Sequence, residues 1–170
     1  MTNSAWSTRA ERKSDRTPVR EINLAAFESA EEADLVDALR GDPAWIEGLS
    51  VVSTDDSGRP VGHALLTRCH IGGVPALALA PCAVLPEFQR RGAGSAAITA
   101  ALDAARELGE SFVVVLGHPG YYPRFGFKRA SGYGISLSIE VPDDALMVLA
   151  LDETRAVPGG KVSYAAPFGI

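Results

Sequence analysis

The chain has 170 residues, a formal net charge of -5, and 46% apolar against 22% charged residues, which suits one ordinary folded domain and excludes a disordered, fibrous or membrane-spanning class. That acidic balance disfavours wholesale contact with nucleic acid or an anionic membrane and favours a cationic amine as a guest. Residues 1–20 hold no apolar signal core, no run approaches the ~18 apolar residues of a spanning helix, and there are two cysteines, so a cytoplasmic domain over residues 1–170 is expected, with residues 1–4 disordered.

Ala5 to Arg12 alternates as a short strand. Ser14-Asp15 then supplies a cap for a helix striped by Val19, Ile22, Leu24 and Phe27. Ser29-Ala30-Glu31-Glu32 has the form of a capping box before Leu35, Val36 and Leu39, and Gly41 ends that second helix. After a loop holding Trp45, the segment 49–53 reads as a strand closed by the turn at Asp55-Asp56-Ser57-Gly58. The segments 61–71 and 76–85 complete an antiparallel meander around Gly72-Gly73.

A two-residue Gly-Gly hairpin pairs Ile71 with Val74, so Cys82 is expected opposite His63 and Cys69 opposite Ala76. The cysteines are then roughly 20 Å apart along the strand, at about 3.3 Å per residue, and no disulfide joins them.

The apolar run ending at Leu85-Pro86 breaks into Gln89-Arg90-Arg91-Gly92-Ala93-Gly94-Ser95, where a third helix begins. Gly92 and Gly94 lack a Cβ, which lets the backbone take positive φ and approach a ligand with its N–H groups free. Arg90 and Arg91 add full charge to the positive end of the helix dipole, which makes a pyrophosphate the natural guest. Neither G-x-G-x-x-G nor G-x-x-x-x-G-K-[ST] is present, so the dinucleotide and Walker loops are excluded.

Ile98, Ala101, Leu102, Ala105 and Leu108 stripe that helix to its stop at Gly109. The run 111–116 is almost wholly apolar, as in a strand covered on both faces and parallel to its neighbour across the helix. Ligands bind beyond the carboxyl ends of such strands, which places the 89–94 loop beside the 117–122 loop. Two further strands, 134–139 and 146–151, flank a turn at Pro142-Asp143-Asp144. Their pairing between subunits would make a homodimer.

The segment Gln89 to Gly94 fits the Q/R-x-x-G-x-G/A signature. With Gly117-His118-Pro119 and Tyr121-Tyr122-Pro123-Arg124-Phe125-Gly126-Phe127, the chain resembles the YhbS-like branch of the GNAT N-acetyltransferases from about Ala5 to its C-terminus. The resemblance implies an α/β fold, a mixed, mostly antiparallel twisted sheet of six to seven strands flanked by about four helices. It implies acetyl-CoA as co-substrate, with direct transfer to an amine acceptor. The donor would be held by Gln89, Arg90, Arg91, Gly92, Ala93, Gly94 and Ser95, and by the backbone of Cys82, Ala83 and Val84, where pantetheine amides would pair like an added strand. A GNAT-fold domain that binds or senses acyl-CoA without turnover is the alternative.

Tyr122 matches the family's Y-x-x-x-G-F acid, and a phenol can protonate a departing thiolate. The run 76–85 holds no carboxylate, so no base carries over from the family. His63 and His118 are the candidates, since either imidazole can take a proton near neutral pH. Cys82 as a nucleophile with His63 as its base lacks a residue to orient the histidine. Three scattered histidines and two cysteines have no metal-ligand spacing, so no metal is expected.

Overall fold

The structure is a computed structural model that describes residues 6–170; Ala5 and the expectation for residues 1–4 lie outside them. In chain order the elements are β1 (Ser7–Ala10), α1 (Arg16–Ala26), α2 (Glu31–Arg40), β2 (Ser50–Thr54), β3 (Pro60–Ile71), β4 (Val74–Val84), α3 (Ala93–Glu107), β5 (Phe112–Leu116), β6 (Lys128–Arg129), β7 (Ile135–Ser136), β8 (Leu146–Ala150) and β9 (Gly160–Ser163). One sheet of nine strands runs in the order β1-β2-β3-β4-β5-β8-β6, with β9 on β3 and β7 on β9. The expected α/β architecture is therefore present: among the described residues nine strands, two of them only two residues long, and three α-helices stand close to the six to seven strands and about four helices expected. The expected strand at 134–139 shrinks to β7, and both β8 and β9 find partners within the chain. Among the described residues, no helix is long and apolar enough to cross a membrane.

Strand side chains alternate between two cores, as the pleat requires. Ala64, Leu66, Leu77, Leu79, Val113 and Val115 pack against Ala97, Ile98, Ala101 and Leu102 of α3. On the opposite face, Leu65 and Val52 meet Val19 of α1 and Val36 and Leu39 of α2, while Phe112 and Val114 join Ala76 and Ala78. Each fully buried Val, Leu, Ile or Phe among them contributes roughly 1.5–3 kcal/mol. β5 is covered on both faces, which is why its sequence is continuous hydrocarbon. The α1 stripe differs from expectation: Leu24 is 42% exposed, and Asn23 takes the buried position. The second cap is also displaced, with Ala30 preceding α2 and Ser29 Oγ accepting from Glu31 N–H at 3.2 Å.

Two features of β4 shape the molecule. It pairs with β5 in parallel only at Leu77↔Val113 and Ala78↔Val114, and then runs on to Val84 without it, which leaves a wedge between the strands. It also carries a bulge. The β3–β4 register holds from Ile71↔Val74 to Leu66↔Leu79 and then shifts, so Ala64 faces Cys82 and His63 faces Ala83. Leu65 stands against both Ala80 and Pro81, and Pro81 has no N–H to give a ladder. The expected His63–Cys82 pairing is thus corrected by one residue, while Cys69↔Ala76 stands and both cysteines are free thiols.

Candidate active site

A cavity of about 280 Å³ occupies the wedge. Its walls are Ala26 and Phe27 from the end of α1, Cys82, Ala83 and Val84 from β4, Gln89, Gly94 and Ile98 from the loop and α3, and Tyr121 and Tyr122 from the loop after β5. The bulge brings Cys82 here: a one-residue slip exchanges faces, so Cys82 packs with the α3-side core rather than with Ala76 and Ala78.

The loop at the mouth is built for an anion. Gly92 precedes α3 with φ of +91°, and the N–H groups of residues 92–95 have no earlier helical turn to bond. Arg90 adopts φ of +64°, a left-handed conformation that a non-glycine residue rarely takes and that concentrates at ligand clamps. The guanidinium groups of Arg90 and Arg91 have no protein partner among the described residues, and both side chains are exposed. Trp6 Nε1 donates to Arg91 O at 2.7 Å, and Gln89 Nε2 donates to Val84 O at 3.2 Å, which fixes the loop to β1 and to the end of β4. Gly94 lies inside the helix, not at positive φ as expected. A Cβ there would come within 2.9 Å of Val84 Cγ2, so the residue is small to let α3 approach β4.

The two loops meet as the topology demands. Tyr121 Oη and Ser95 Oγ are 2.8 Å apart, so Tyr121 lines the cavity and ties the second loop to the first turn of α3. Its ring stands edge-on to Tyr122 at 5.0 Å and to Phe125 at 5.5 Å, and Arg124 covers it at 4.2 Å. Tyr122 in turn packs on Phe127 at 6.0 Å. A Cβ at Gly117 would overlap the Tyr122 ring, so that glycine seats the tyrosine, a role that the sequence signals only as a glycine at a strand end.

The proton-bearing groups separate sharply. Burial raises the Tyr122 phenol above its ordinary value, with the neighbouring Cys82 adding to the shift, and burial pushes the Cys82 thiol up to about 12. Both stay protonated near neutrality, so a Cys82 nucleophile finds no activation. His63 does not line the cavity. It lies on the far face of the sheet, 1% exposed, with Nε2 2.9 Å from Ser50 Oγ and Nδ1 3.3 Å from Asn23 Nδ2. Burial, aided by the charge of Arg40, lowers its pKa to about 3. Ser50 Oγ donates onward to Glu11, which Arg40 holds at 2.9 Å, so His63 belongs to a buried polar relay. His118 is exposed, and its Nδ1 accepts the Gly120 N–H at 3.0 Å, which leaves the proton of the neutral ring on Nε2. Neither histidine is brought to the cavity wall. Among the described residues, no group of His, Cys, Asp and Glu side chains is gathered to hold a metal ion.

Comparison with known proteins gives a consistent picture. Residues 16–127 match the Acetyltransferase (GNAT) family. The chain is 40% identical over 151 residues to the uncharacterized N-acetyltransferase YjhQ of Escherichia coli (strain K12), covering 86% of this chain and 83% of that protein. It is 33% identical over 138 residues to YhbS of the same strain, another uncharacterized N-acetyltransferase, covering 79% of this chain and 81% of that protein. The crystal structure of Escherichia coli YhbS in complex with CoA superposes with a TM-score of 0.90 at 28% identity, covering 100% of this chain and 95% of that one. A GNAT family acetyltransferase from Brucella melitensis in complex with acetyl-CoA gives a TM-score of 0.79 at 31% identity, covering 98% and 99%.

Proposed function

Because the chain belongs to the GNAT acetyltransferase family, we propose that it is an acetyl-CoA-dependent N-acetyltransferase that moves the acetyl group directly to an amine of a small molecule or a protein. The observation that carries this reading is the wedge between β4 and β5, with an anion-gripping helix start at its mouth and a protonated tyrosine on its wall. Relatives solved with CoA and with acetyl-CoA support it.

In this reading the N–H groups of Gly92, Ala93, Gly94 and Ser95 and the charges of Arg90 and Arg91 hold the pyrophosphate, while Gln89 fixes the loop. The unpaired upper edge of β4, at Cys82, Ala83 and Val84, takes the pantetheine amides. The bound thioester supplies the acetyl group. Tyr122 keeps its proton until a thiolate forms beside it. Burial also raises a thiol in the same pocket, as at Cys82, so a sulfur leaving there is a stronger base than a free thiolate in water. Free thiols at Cys69 and Cys82 agree with a cytoplasmic site of action.

Calorimetric titration with acetyl-CoA, followed by detection of free thiol with a mixed panel of amines, tests the reading. Binding with thiol release is expected. Binding without release from any amine would favour the second reading, an acyl-CoA-binding or sensing module, which fits a cavity whose lining, among the described residues, holds no His, Asp or Glu. No binding would overturn the assignment of residues 89–95.

A further inference from the structure

We propose that the chain carries a second anion site, apart from the wedge, that takes a small phosphate, free or esterified; the site stands independently of the acetyltransferase reading. A cavity of about 280 Å³ opens between the turn at Lys13–Asp15 and the loop before β2. Arg12, Lys13 and Arg16 line it from one side and Arg40 of α2 from another, and its carboxylates are Glu11 and Glu47. β1 separates this cavity from the donor loop. Trp6, before that strand, bonds Arg91 O, whereas Glu11 and Arg12, after it, line the cavity. At about 3.3 Å per residue, the four residues of β1 alone hold the two places roughly 13 Å apart.

The site is built on buried polar groups. Asp15 is buried and accepts from Arg9 Nη2 at 2.8 Å and from the Arg12 N–H at 2.9 Å, which fixes the turn that carries Arg12, Lys13 and Arg16. The Glu11 carboxylate accepts from Arg40 at 2.9 and 3.2 Å and from Ser50 Oγ at 3.1 Å. The side chains of that ion pair are 14% and 7% exposed, so a guest meets a surface already ordered. Trp45 Nε1 donates to Glu47 at 3.1 Å, and the Arg40 guanidinium stands over the Trp45 ring at 5.3 Å.

The charges do not balance. Arg40 offsets Glu11, while Arg12, Lys13 and Arg16 have no carboxylate partner among the described residues. Counting Glu47 against those three leaves an excess of two positive charges in one cleft, in a chain whose net charge is -5. A cleft lined by one sign of charge focuses its field on a guest of the other. A phosphate monoester brings close to two negative charges at pH 7 and three acceptor oxygens. The guanidinium forks of Arg12 and Arg16 suit those oxygens in pairs, Lys13 adds a point charge, and Arg40 keeps N–H groups beyond those it gives to Glu11 and Asp37. The volume falls just under the roughly 300 Å³ at which pockets take drug-sized ligands, so the guest is small.

The test titrates inorganic phosphate into the intact protein by calorimetry, in phosphate-free buffer of low ionic strength. A triple variant, Arg12→Gln with Lys13→Gln and Arg16→Gln, and a donor-loop variant, Arg90→Gln with Arg91→Gln, go through the same titration. The parent and the donor-loop variant should bind alike, with a dissociation constant near ~1 mM or tighter, and the triple variant about tenfold more weakly or worse. All three substituted side chains are exposed, so the fold is retained. Phosphate should raise the Tm of the parent and leave that of the triple variant in place, and the triple variant should keep the parental affinity for acetyl-CoA. Glycerol 3-phosphate, titrated in the same way, separates the two sources: tighter binding than inorganic phosphate identifies an ester as the guest, and equal or weaker binding identifies the free ion. Parental phosphate affinity in the triple variant, an equal loss in both variants, or neither heat nor a Tm rise in the parent at about 10 mM phosphate, ten times that constant, would each overturn the proposal. Absent acetyl-CoA binding would strike the donor assignment instead, and the phosphate titration would still decide this site.

Discussion

The hydroxyl of Tyr121 lies 2.8 Å from Ser95 Oγ, and this one contact joins the helix start that would grip the pyrophosphate to the segment that carries the proposed acid. Tyr121→Phe keeps the ring packing on Tyr122 and Phe125 and deletes only that bond. A net loss of about 1 kcal/mol in stability is expected, read as a fall in Tm of roughly 2–4 °C in a domain of this size. The same variant should bind acetyl-CoA a few-fold more weakly by calorimetry. Unchanged affinity together with unchanged Tm would mean that the two loops are held by packing alone.

Tyr122→Phe removes the proton and leaves the ring on Phe127. Its kcat should fall by roughly 10²-fold or more, within the range for a lost general acid, with the acetyl-CoA dissociation constant unchanged. Gly117→Ala reaches the same residue from behind, since the added carbon overlaps the Tyr122 ring. That variant should lower kcat and Tm together. A Tyr122→Phe enzyme with the parental kcat would assign protonation of the sulfur to water.

Gly92→Val tests the helix start. Open space surrounds the new side chain, with the Trp6 indole 3.7 Å from its Cβ, so the penalty is conformational: a β-branched residue is strained at φ of +91°. The strain, about 1–3 kcal/mol, is relieved by turning the N–H groups away from the mouth of the wedge. Acetyl-CoA affinity should drop at least tenfold with the far-ultraviolet dichroism intact, and parental affinity would refute the role of the loop.

His63 predicts a pH dependence of stability. In the folded chain the ring stays neutral down to about pH 3, whereas in the unfolded chain it takes a proton below about 6.5. The unfolded state therefore binds the extra proton between those values. The contribution is complete above pH 6.5 and is lost as pH falls toward 3, by about 1.4 kcal/mol per pH unit. His63→Gln should lower Tm at pH 7, because Ser50 and Asn23 lose a shaped partner, and should flatten the decline between pH 6.5 and 4.5. An equally steep decline in the variant would mean that other groups carry it.

What the sequence made legible was whatever depended on local chemistry. The third helix expected from Ser95, the apolar strand expected at 111–116 and the hairpin at Gly72-Gly73 all follow from residue type at a fixed spacing, and the structure places them within two residues, with α3 starting at Ala93 and β5 at Phe112. The position of Cys82 was not legible in the same way. Its face depends on one extra residue near Pro81, and alternation counted from the hairpin has no means to register an insertion in only one strand. That slip separated His63 from the wedge. Asn23 was hidden for a related reason: a buried amide breaks the hydrophobic stripe of α1, and its partners, Val19 O one turn back and the His63 ring across from it, are set by the fold. The strands β6, β7 and β9 are two to four residues long, too short to set up any period.

The brevity of the β4–β5 junction carries a mechanical consequence. Two residue pairs are all that join β1–β4 to β5, β8 and β6 along that seam. The sheet is thus two plates on a short hinge, and a small rotation at Ala78 is multiplied along the length of β4 into a change of gap at Cys82 and Val84. The amides lining that gap should exchange with solvent hydrogen faster than those of the same strand below the hinge. A molecule that bridges the plates would brake both the rotation and the exchange.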